Sequence, residues 1–145
     1  MADETGSDKV VACITEATPL PGTDPLARVV ATQEARALIA ELRARHGELM
    51  FHQSGGCCDG SSPMCYPEGE FRLGESDVRL GAVDGAEFYI SGPQFEAWRH
   101  TQLILDVVPG RGGMFSLDNG TGRRFLIRSR VFTPEEWEAL PPMTA

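Results

Sequence analysis

Between Thr32 and Gly47 the apolar residues Ala35, Leu38, Ile39 and Leu42 recur at i, i+3, i+4 and i+7, while Glu34, Arg36, Glu41, Arg43 and Arg45 fall off that line. This period is one face of an α-helix and predicts a helix over Gln33–Arg45. Thr32 suits its N-cap, Arg43, Arg45 and His46 suit the negative end of its dipole, and Gly47 suits the position just beyond. After Gly47 the period drops to two or the apolar positions run together, and both patterns predict strands. They cover Glu48–Gln53, Glu70–Leu73, Val78–Val83, Ala86–Ile90, Thr101–Val108, Met114–Leu117 and Arg123–Val131. Asp84-Gly85 lies between two of them as a two-residue hairpin signal. In the last strand Arg124, Leu126, Arg128 and Arg130 alternate with Phe125, Ile127, Ser129 and Val131, which predicts one polar and one buried face.

Shorter signals complete the chain. Lys9–Ile14 and Arg28–Ala31 are brief strand candidates, and Gln94–His100 is a short helix or turn in which His100 reads as a partly buried structural neighbour of Trp98. Thr133-Pro134-Glu135-Glu136 opens a final short helix, with an N-cap threonine, proline in the first turn and acids where the dipole favours them. One main helix followed by many short strands predicts an α+β fold, a small mixed β-sheet or sandwich. The expected layout is a flexible arm over residues 1–24, a single α+β domain over 25–140 and a tail over 141–145.

Composition narrows the class. An apolar fraction of 41% over 145 residues is enough for one core. A net charge of -8 argues against a nucleic-acid surface, which needs clustered Lys and Arg. Arg123, Arg124, Arg128 and Arg130 form a basic strip that is expected to pair with the acidic surplus or with an acidic partner surface. No apolar run approaches the roughly 20 residues that cross a bilayer, and the acidic start Met1–Asp8 lacks the pattern of a secretion signal. A cytoplasmic location is therefore expected, where thiols stay reduced and a thiol cluster points to a metal or reactive site.

That cluster is the chemical centre of the sequence. His52-Gln53-Ser54-Gly55-Gly56-Cys57-Cys58-Asp59-Gly60-Ser61-Ser62-Pro63-Met64-Cys65 holds three of the four cysteines. Thiolates and imidazole suit zinc, copper and iron. His52, Cys57, Cys58 and Cys65 are the candidate ligands of a transition metal, zinc or iron, and Asp59 is a further ligand or an acceptor behind one. The spacing is not that of a finger, because adjacent cysteines diverge. A second reading makes Cys57 or Cys58 a reactive thiol resolved by Cys65, and a third makes the loop structural. Cys13, alone among apolar neighbours, reads as a buried thiol. No residue is singled out as catalytic: the acids Asp77, Asp84, Glu87 and Asp106 are scattered over strands and turns, and no Ser-His-Asp arrangement stands out.

Two resemblances rest on these residues. The run from His52 to Ser61, with Pro63 and Cys65, resembles the signature of a bacterial family of uncharacterised small proteins often encoded beside an NAD-dependent aldehyde dehydrogenase. The resemblance implies an accessory role, with an aldehyde dehydrogenase as partner. The order of helix, strand, Gly55-Gly56-Cys57 turn, Asp84-Gly85 hairpin, apolar strand Leu103–Val108 and Gly110–Gly113 turn is also similar to the A-type iron–sulfur carriers, the HesB-like fold. It implies an iron–sulfur cluster on Cys57 and a homodimer. Those carriers end in Cys-Gly-Cys, whereas this chain reads Ser116-Leu117-Asp118-Asn119-Gly120. The ligands replacing that segment would then be Cys58, Cys65 and His52.

Overall fold

The computed structural model describes residues 20, 22–53, 62–69, 73–111 and 116–140. The predicted main helix is α1, Gln33–His46, and its inward residues are the four of the predicted stripe, Ala35, Leu38, Ile39 and Leu42. The Thr32 side chain accepts a hydrogen bond from the Ala35 amide at 3.1 Å, and Gly47 follows the last turn with φ +82°. A residue with a Cβ would be strained in that left-handed backbone.

Seven strands make two small mixed sheets among the described residues. The first has the order β1-β6-β7, from Val29–Ala31, Thr101–Pro109 and Arg123–Val131, with β1 parallel and β7 antiparallel to β6. The second has the order β3-β2-β5-β4, from Met64–Pro67, Leu49–Gln53, Ala86–Ile90 and Val78–Val83. In it β2 runs parallel to β5 and antiparallel to β3. Asp84 and Gly85 turn β4 into β5 with φ +49° and +83°, the positive pair that matches strand twist in a two-residue hairpin. Two further short helices, α2 (Gly92–Trp98) and α3 (Pro134–Ala139), flank β6 and follow β7. In α3, Thr133 is the N-cap as the sequence predicts, and Glu136 returns the bond to the Thr133 amide, a reciprocal cap.

Strand alternation puts one face of each sheet on a shared core. Phe51 of β2 stacks on Phe88 of β5 with centroids 5.6 Å apart, and Phe125 of β7 meets Phe51 edge-on at 4.9 Å. Three rings from two sheets thus join at the centre, with Leu38, Ile39, Leu42, Leu103, Leu105 and Ile127 around them. The opposite face of β7 carries Arg124, Arg128 and Arg130 of the basic strip, while Arg123 begins the strand in phase with Phe125. Arg123 is paired with Glu41, Arg128 with Asp106 and Arg130 with Glu136, so the strip largely meets the chain's own acids.

Some expectations shift. The strand β3 is absent from the predicted strands, since Pro63 and Pro67 bracket it in the sequence; it forms because both prolines stand at its ends, where no ladder N–H is needed. Ser116 and Leu117 lie in a turn, and the rest of that predicted strand is outside the described residues, as are Lys9–Ile14, Cys13 and Glu70–Arg72. Leu73 itself is in a loop. His100 is exposed and meets Trp137 in a tilted contact, centroids 4.5 Å apart and planes at 40°, while Trp98 is buried in the core; α3 folds back over the start of β6 and supplies the ring. No helix among the described residues is long and apolar enough to cross a membrane.

Candidate functional site

The five predicted ligands divide between described and undescribed residues. Cys57, Cys58 and Asp59 lie outside the described residues; His52 and Cys65 lie inside, on β2 and β3. Their register decides where each side chain goes. Cys65 is the cross-strand partner of Phe51, and His52 is the partner of Met64. Paired residues share a face and successive residues alternate, so Cys65 follows Phe51 into the core while His52 occupies the other face of the same sheet. The structure therefore separates two side chains that sequence proximity had grouped.

Cys65 is fully buried among the core residues. Burial pushes its thiol well above the ordinary range, and the nearby Asp118 charge pushes it further the same way. Its backbone is held as tightly as its side chain. The Cys65 amide donates to Ser116 Oγ at 2.8 Å, and the Cys65 carbonyl accepts from the Leu117 amide at 2.9 Å. These bonds satisfy the outer edge of β3, an edge strand. Ser116 in turn donates to the buried Asp118 carboxylate, whose other oxygen accepts the Phe125 amide at 2.9 Å. A polar chain thus runs from β3 to β7, linking the two sheets beside the core thiol.

His52 has a different environment. It is buried, 4% exposed, and lies 2.9 Å from Asp77 by its Nε2. Asp77 ends a tight turn: its amide donates to the Gly74 carbonyl at 3.2 Å, and its Oδ2 accepts the Gly74 amide at 2.7 Å. Burial raises the Asp77 carboxyl, but the hydrogen bonds from Gly74 and His52 more than offset this and hold it below the usual carboxylate range. On the same face, Tyr89 of β5 is the register partner of His52, and Met64 flanks it from β3; both are half-buried. The Asp77 contribution was not legible in the sequence, since 25 residues separate it from His52 and no motif joins them.

The strand ends fix where the cysteine segment must begin and return. Gln53 ends β2 and Met64 begins β3, with Met64 opposite His52. Cys57 and Cys58 therefore belong to the connection of an antiparallel pair that closes beside the imidazole. Among the described residues alone, no three His, Cys, Asp or Glu side chains are grouped to hold a metal ion. A cavity of about 350 Å³ lined by Arg45, His46, Ser116, Leu117 and Thr121 takes in neither His52 nor Cys65.

Fold and site together define a small two-sheet α+β domain with a buried histidine–carboxylate pair where a cysteine-bearing hairpin opens. The chain belongs to the family described as a domain of unknown function, DUF779, whose model matches residues 38–131. That span runs from the middle of α1 to the end of β7 and includes His52, the three clustered cysteines and Asp77. No curated protein matches the chain.

Proposed function

We propose that this domain binds a single transition-metal ion, zinc or iron, through His52 and the thiolates of Cys57 and Cys58. Asp59 is a further oxygen donor or an acceptor behind a ligand. The observation that carries the reading is the buried His52 imidazole, hydrogen-bonded to Asp77 on the sheet face away from the core, at the strand end that leads to the two thiols. A carboxylate behind a histidine is the usual support of a metal-binding imidazole. Imidazole, thiolate and carboxylate donors together suit zinc or ferrous iron.

Cys65 is left out of the ligand set, because a thiol buried in an apolar core and biased against ionisation is a poor donor. Two thiols then remain in the segment, which favours a mononuclear ion over an iron–sulfur cluster with its usual four thiolates. The same burial weighs against Cys65 as a resolving thiol. The ion would supply Lewis acidity or structural closure of the hairpin, and the protein would act, as a homodimer, in support of an aldehyde dehydrogenase.

Anaerobic purification without chelator, elemental analysis and Co²⁺ titration test the metal. Stoichiometric metal and a thiolate-to-Co²⁺ absorption band are expected in the wild type and in Cys65→Ala. Both should be lost in His52→Ala and in the Cys57→Ser/Cys58→Ser double variant. A double variant that keeps its metal refutes the proposal. Light scattering and co-purification with the dehydrogenase test the dimer and the partner; a monomer or an empty pull-down would remove those two parts.

A further inference from the structure

We infer that Asp77 is a positioning residue that fixes the tautomer of His52 by holding the ring proton on Nε2. The inference deepens the metal reading and rests on it for the identity of the ligand, but its core claim concerns the metal-free chain. A carboxylate is acceptor-only, so the proton in the 2.9 Å contact between Asp77 and His52 Nε2 has to come from the ring. With the proton on Nε2, a neutral imidazole carries its lone pair on Nδ1.

The surroundings make this a rigid arrangement. The Asp77 side chain is 12% exposed and His52 is 4% exposed, so water competes weakly for either group. The carboxylate is braced through its second oxygen by the Gly74 amide, and the Gly74–Asp77 turn is closed by its own backbone bond. The turn also rests against the start of α2. A Cβ at Gly92 would stand 2.8 Å from the Ser76 carbonyl oxygen, a backbone atom that cannot swing aside. Gly92 therefore sets how closely the turn, and with it Asp77, approaches β2. Orientation of the histidine is determined from two sides, by β2 through the backbone and by the turn through the ring.

The test begins with long-range ¹H–¹⁵N spectra of the metal-free full chain. In the wild type His52 should be the Nε2–H tautomer. In Asp77→Asn the carboxamide can present either a donor or an acceptor, so the tautomers should mix. Zn²⁺ affinity measured against a competing chelator should then fall about 10- to 100-fold, the range found when a partner behind a ligand is removed. Gly92→Ala, which touches neither group, should shift the His52 ring resonances in the same direction by displacing Ser76. Circular dichroism and thermal unfolding confirm that each variant folds, and the wild-type spectrum needs no variant at all. A wild-type His52 found as the Nδ1–H tautomer overturns the inference. So does Asp77→Asn with unchanged tautomer and unchanged Zn²⁺ affinity. A chain that holds the Asp77-dependent tautomer but binds no Zn²⁺ upholds the pair and overturns the metal reading, so the two failures are told apart.

Discussion

Replacing Cys65 separates a structural thiol from a ligand. The side chain is fully buried opposite Phe51 and belongs to the central cluster that includes Phe88, Phe125 and Ile127. Cys65→Ala deletes one sulfur atom from a packed site. The lost transfer energy of roughly one methylene and the small void left behind sum to about 1.5 kcal/mol. Cys65→Ser keeps the volume but buries a hydroxyl. The backbone groups of Cys65 are already engaged by Ser116 and Leu117, so neither is available to that hydroxyl. An unmet buried hydroxyl adds about 1–3 kcal/mol, which brings the serine variant to about 3 kcal/mol. For a domain of this size these losses lower the melting temperature by about 5 °C and 9 °C. Calorimetry and urea unfolding measure them, and elemental analysis of the same preparations reads the metal. The expected outcome is a ranking, wild type above alanine above serine in stability, with metal content unchanged in all three. A thiol reagent should leave Cys65 unmodified until the chain unfolds. Loss of metal from a Cys65→Ala protein that is still folded, or a serine variant as stable as the wild type, would refute the reasoning.

Three further outcomes follow from the packing. Arg130 is completely buried and donates to Gln102 Oε1, Glu136 Oε1 and the Pro25 carbonyl, each at 2.9 Å. Arg130→Ala leaves those acceptors without their cation and should cost about 4 kcal/mol in urea unfolding; a loss below about 1 kcal/mol would show that the network adds little. Stability should also fall in acid. Burial raises the Asp106 carboxyl, but hydrogen bonds from Arg128, the Val107 amide and Thr32 hold it below the usual range, and Glu136 is lowered chiefly by Arg130. Depressed folded values stabilise the protein above the unfolded carboxylate range near pH 4 and release that stability as pH falls below it; a melting temperature flat between pH 6 and pH 3 on a scale of ~1 °C would contradict this. Gly85→Ala should cost about 1–2 kcal/mol in thermal unfolding, since φ is +83° and the new Cβ would meet the Arg43 guanidinium that donates to the Asp84 carbonyl. Unchanged stability would show that the hairpin tolerates a different turn.

What the sequence determined by itself was local. The stripe Ala35, Leu38, Ile39, Leu42, the caps Thr32 and Thr133 and the Asp84-Gly85 turn are each set by neighbours within a few residues, and each is present in the fold; the alternation expected along Arg123–Val131 is not kept, because packing buries Leu126 and Arg130 on the face expected to be polar. The cysteine segment was also visible as the place where donor atoms gather. Which residues face one another was not visible. A period of two says that alternate residues share a face but not which face is the core. The pairing of Phe51 with Cys65 sends the thiol inward and the histidine outward, and that depends on a strand, β3, masked in the sequence by its two prolines. The Asp77 partner of His52 comes from a turn whose position is fixed by contact with α2, through a glycine that only the packed structure makes informative. Local propensity acts over a few bonds, whereas the site is assembled by side chains brought together across two sheets, and only the tertiary structure brings them together.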